Sequence, residues 1–111
     1  MAEPSRETQE KIQQLQLLEQ NLNNFSMQRQ SFQLQLQEID SALKEIENVD
    51  TAYRILGGIM INSPKEAIKK ELDESREAME VRLKSIEAQE KRLRDKAASL
   101  KADVLEAIEG K

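Results

Sequence analysis

The sequence predicts a mainly α fold: a long antiparallel two-helix coiled coil with a central β-hairpin that joins an intersubunit β-barrel. Three observations carry this reading. Two long stretches, free of Gly and Pro, repeat apolar residues at heptad spacing. Between them, Tyr53-Arg54-Ile55-Leu56-Gly57-Gly58-Ile59-Met60-Ile61-Asn62-Ser63-Pro64 breaks that rhythm with β-forming residues around a glycine pair. The composition, 34% charged and 3% aromatic, holds too few large apolar side chains for a compact core but suits long helices. The chain reads as one domain over residues 1–111, with an arm helix at about 5–49, the hairpin at about 52–62 and a second arm helix at about 64–109.

The first arm starts where Pro4 and Ser5 end the irregular N-terminus, with Ser5 or Thr8 as the cap. One seam row is Leu15, Leu22, Arg29, Leu36 and Leu43; the other is Leu18, Phe25, Phe32, Ile39 and Ile46. Nine of these ten positions are apolar. The second arm opens at Ser63-Pro64-Lys65-Glu66, a capping-box pattern with Ser63 as N-cap and proline at the first helical position. Its seam is Leu72, Met79, Ile86, Leu93, Leu100 and Ala107, alternating with Leu83, Ala97 and Val104. Arg76 and Glu90 interrupt it, and Gly110 supplies a C-cap. Antiparallel pairing matches seam residues whose numbers add to about 115. Arg29 then falls within a turn of Glu90. Either the two pair and set the register, or both side chains extend outward to water.

Gly57-Gly58 makes a two-residue primed turn, pairing Leu56 with Ile59, Ile55 with Met60, Arg54 with Ile61 and Tyr53 with Asn62. Both faces are apolar near the turn, whereas a surface hairpin alternates apolar with polar. A lone hairpin is marginal in water and leaves two edges unpaired. Closure with hairpins of other chains resolves both difficulties. Tyr53, Ile55, Leu56, Ile59, Met60 and Ile61 are therefore the expected assembly residues. The competing arrangement folds the hairpin back onto Ile46, Val49 and Ile68.

The chain has no Cys and no His, so disulfides and the usual zinc and iron–sulfur ligand sets are excluded. The commonest general base is missing as well, and no phosphate-binding loop occurs. No enzymatic activity and no cofactor are expected. The net charge of −4 disfavours nucleic acid. The basic run Lys91-Arg92-Leu93-Arg94-Asp95-Lys96 lies among acidic residues and reads as a solvated helix face. No stretch approaches the roughly 20 apolar residues of a membrane span, and Met1-Ala2-Glu3-Pro4-Ser5-Arg6 lacks the apolar part of a signal peptide. No membrane association and a cytoplasmic location are expected.

The motif Asp50-x-x-Tyr53-Arg54-x-x-Gly57, the strand Ile59-Met60-Ile61 and the Ser63-Pro64-Lys65-Glu66-Ala67 opening, set between two matched heptad arms, resemble the β-type subunits of prefoldin. The family usually has a basic residue where Asn62 stands. The resemblance implies an ATP-independent chaperone subunit in a hexamer of two alpha and four beta subunits. Their hairpins would form a barrel. The arms would capture unfolded polypeptides and pass them to a group II chaperonin. It also implies client contacts at the arm tips, at Ile12, Leu15, Leu17 and Leu18 on the first arm and Val104, Leu105 and Ile108 on the second; of these, Ile12, Leu17, Leu105 and Ile108 lie off the seam and exceed what it needs. An alternative is a structural coiled-coil adaptor that oligomerises without chaperone activity.

Overall fold

A computed structural model describes residues 4–110 of the chain; Met1, Ala2, Glu3 and Lys111, the ends of the domain expected from the sequence, lie outside the described residues. The order of elements is α1 Arg6–Ile46, β1 Ala52–Leu56, β2 Ile59–Ser63 and α2 Lys65–Glu109. Of the two caps open to α1, Ser5 is the one used. Its hydroxyl accepts from the Thr8 amide at 3.1 Å and its carbonyl accepts from Gln9 at 2.9 Å. Glu7 in the first turn and Lys44 in the last complement the helix dipole.

The helix ends at Ile46, three residues before the expected limit near 49. Asn48 accounts for this. Its amide donates to the Glu45 carbonyl at 3.0 Å and its side chain to that of Lys44 at 3.5 Å, which satisfies terminal carbonyls in a tightened turn.

The start of α2 departs from the capping box read from the sequence. Ser63 is the last residue of β2, paired with Ala52. A residue preceding proline is pushed toward extended backbone, which suits a strand. The first helical turn is closed by the Pro64 carbonyl, which accepts from Ala67 at 3.1 Å and Ile68 at 3.2 Å. At the other end, the Gly110 amide donates to the Glu106 carbonyl at 2.7 Å, and a Cβ on Gly110 would sit 2.5 Å from that oxygen.

Two compact units make up the chain. One is Gln30–Lys84; the other combines the residues up to Arg29 with those from Ser85 onward. In the first, ion pairs Asp40–Arg76 at 2.7 Å and Glu47–Lys69 at 2.6 Å bind α1 to α2 in antiparallel order, within a turn of the expected register. Ile46 is buried there, and Leu36, Ile39, Leu43, Leu72, Met79 and Leu83 are half-buried. The Arg76 side chain leaves its seam position to reach both Asp40 and Glu80.

In the second unit Leu18, Ile86, Ala97 and Val104 are buried. Between only two helices a seam residue keeps one side toward water, and among the described residues no large side chain is fully enclosed. The sequence left Arg29 and Glu90 either paired or solvated; they are paired. Arg29 Nε donates to Glu90 Oε1 at 2.7 Å, and Glu90 is only 3% exposed. Arg29 also reaches the Ser26 hydroxyl at 3.3 Å, and Arg94 lies 3.4 Å from the second Glu90 oxygen. No described helix is long and apolar enough to cross a membrane.

Candidate functional site

The hairpin has the register read from the sequence: Tyr53 opposite Asn62, Arg54 opposite Ile61, Ile55 opposite Met60 and Leu56 opposite Ile59. Gly57 at φ 54° and Gly58 at φ 81° both occupy the left-handed region that a type I′ turn requires. A side chain at either position would meet open space, so the demand for glycine comes from the backbone alone.

With a two-residue loop, Leu56 and Ile59 form the hydrogen-bonded closing pair. Alternation then turns the main-chain amides and carbonyls of Tyr53 and Ile55 outward on one edge, and those of Met60 and Asn62 outward on the other. The two faces differ. One carries Tyr53, Ile55, Met60 and Asn62, all exposed; the other carries Ala52, Arg54, Leu56, Ile59, Ile61 and Ser63. Toward its base the second face is partly covered, with Ala52, Arg54 and Ser63 half-buried.

Tyr53, Ile55, Leu56, Ile59, Met60 and Ile61 are between 44% and 71% exposed. Val49 is exposed as well, so the hairpin does not cover it, whereas Ile46 is buried and Ile68 half-buried. Among the described residues this apolar cluster has two unpaired main-chain edges, a geometry that can add further strands.

Polar bonds hold the base of the hairpin. Arg54 Nη2 donates to Glu71 Oε1 in the second turn of α2. Lys69 pairs with Glu47, and Lys65 Nζ donates to the Glu47 carbonyl at 3.2 Å. The hydrogen bond from Lys69, reinforced by its charge, holds the Glu47 carboxyl below its ordinary value of 4.5. The same bond raises Lys69 above 10.5. Arg54 belongs to the motif read from the sequence, but that reading gave it no role in holding the hairpin. The available signal was a charge inside an otherwise apolar strand, and its partner lies 17 residues away.

The tip residues separate into two groups. Leu18 and Val104 are buried in the seam, and Ile12 and Leu15 are half-buried. Leu17, Leu105 and Ile108 are exposed, at 59%, 46% and 54%. The second group is open to a ligand without any opening of the helix pair.

Paired helical arms bearing an unsatisfied apolar hairpin define an assembling subunit. The chain belongs to the prefoldin subunit family, whose pattern matches residues 9–111. It is 35% identical over 101 residues to the prefoldin subunit beta of Archaeoglobus fulgidus, covering 88% of this chain and 87% of that one. It is 36% identical over 98 residues to the prefoldin subunit beta of Thermococcus kodakarensis, covering 86% and 84%. The crystal structure of the prefoldin beta subunit from Thermococcus strain KS-1 superposes with a TM-score of 0.90 at 34% identity, covering 96% of each chain. The family is one of chaperones, not enzymes, and its members work in assembly with other prefoldin subunits.

Proposed function

We propose that this chain is an ATP-independent holdase subunit of a cytoplasmic prefoldin hexamer with two alpha and four beta subunits. Its hairpin joins those of neighbouring subunits in a β-barrel, and its arms capture unfolded polypeptides for delivery to a group II chaperonin. The observation that carries the reading is the exposure of all six hairpin residues, Tyr53, Ile55, Leu56, Ile59, Met60 and Ile61. Burying an apolar side chain of this size contributes about 1.5–3 kcal/mol. Main-chain bonds along both edges add to it.

Leu17, Leu105 and Ile108 form the client surface, with half-buried Ile12 and Leu15 and buried Leu18 and Val104 joining when the last turns open. Unfolded chains expose apolar side chains without fixed geometry, and an exposed apolar surface of low specificity suits that task. Several arms contacting one flexible chain bind by avidity, and separate weak contacts release it without nucleotide.

The test replaces Leu17, Leu105 and Ile108 together with Ser in the assembled protein. Native mass should be unchanged, and suppression of aggregation of a chemically denatured protein should fall several-fold. Unchanged suppression removes the tip assignment. If the unsubstituted assembly gives no suppression at all, the chain is a coiled-coil adaptor.

A further inference from the structure

The two hairpin faces are equally apolar near the turn but are tied to the arm differently. Arg54, at the centre of β1, projects from the face that includes Leu56, Ile59 and Ile61, and its guanidinium reaches Glu71 on α2. Arg54 and Glu71 side chains are 34% and 53% exposed, so this is a half-exposed pair rather than a core element. Arg54 Nε is itself buried and finds no acceptor among the described residues. A buried donor without a partner is costly, so the placement of Arg54 must repay that cost. The opposite face has no bond to either helix among the described residues, and it carries the most exposed residues of the hairpin, Ile55 and Met60.

We propose that Arg54 and Glu71 are positioning residues that lay one face of the hairpin toward α2 and thereby commit the other, Tyr53–Ile55–Met60, to contact with neighbouring prefoldin subunits; this rests on the hairpin being the assembly element. Without such a tether, a hairpin joined to its helices by short linkers can rotate about its base and offer either apolar face. Each wrong orientation lowers the fraction of chains competent to assemble.

The experiment uses the full chain co-expressed with an archaeal prefoldin alpha subunit that assembles with the unsubstituted chain. Arg54→Glu, Glu71→Arg and the double exchange are compared by native mass spectrometry across a dilution series, with helical circular dichroism in parallel. Each single reversal should raise the protomer concentration for half-assembly about three- to tenfold while helicity stays unchanged. The double exchange should recover most of the loss. A merely structural pair would lower helicity in step with assembly, and a failure of the double exchange to rescue would show that the two residues do not act as a pair; either result overturns the proposal. So does normal assembly of both single variants. Met60→Asp, on the committed face, serves as the control: if it too assembles normally, the hairpin reading itself fails; if it does not, only the positioning role does.

Discussion

Replacement of the polar pair inside the seam should affect stability unequally from its two sides. In Arg29→Leu, the Glu90 carboxylate keeps its nearly closed site and loses its 2.7 Å partner. Among the described residues Arg94 remains, 3.4 Å away, with a side chain 65% exposed. Breaking a buried pair from one side costs roughly 3–5 kcal/mol, and the remaining Arg94 contact brings this to about 2–3 kcal/mol. In Glu90→Leu, the Arg29 side chain is already 29% exposed and keeps its bond to Ser26. It extends into water at a cost of about 1 kcal/mol or less. Arg29→Leu with Glu90→Leu continues the heptad seam and removes two desolvated charges. The double variant should be more stable than the unsubstituted chain by about 1–2 kcal/mol. Thermal unfolding followed by helical circular dichroism measures all three, at about 4 °C per kcal/mol for a chain of this size. Equal losses in the two single variants, or a double variant less stable than the unsubstituted chain, would refute the assignment of Glu90 as the costly half.

Other substitutions test the local chemistry. The Glu47–Lys69 bond contributes stability only while both groups are charged. Glu47 is depressed below 4.5, so its contribution is present above that value and disappears as pH falls through the folded-state pKa; Lys69 is raised above 10.5, so its contribution disappears as pH rises through its own. The difference in stability between Lys69→Met and the unsubstituted chain should therefore be constant between these limits and shrink outside both, measured by urea unfolding across pH. Ser5→Ala removes the acceptor of the Thr8 amide; first-turn amide exchange should quicken about fivefold, read by hydrogen-exchange NMR. Gly57→Asn should be tolerated, because asparagine enters the left-handed region readily, whereas Gly58→Val at φ 81° should cost about 1–2 kcal/mol and weaken assembly in native mass spectra.

The features legible in the sequence were those with short-range causes. The glycine pair specified the turn, and the turn specified every pairing from Leu56–Ile59 to Tyr53–Asn62. Heptad spacing identified the two arms because it is a local periodicity. Tertiary structure decided what depends on the rotation of one element against another. It brought Arg29 onto Glu90 instead of into water, drew Arg54 to Glu71, and kept Ser63 in the ladder so that Pro64 opens α2. It also divided the expected tip residues into buried Leu18 and Val104 and exposed Leu17, Leu105 and Ile108. Spacing along a chain fixes which residues share a face, but a charged side chain chooses between solvent and a partner only after its helix has turned toward another.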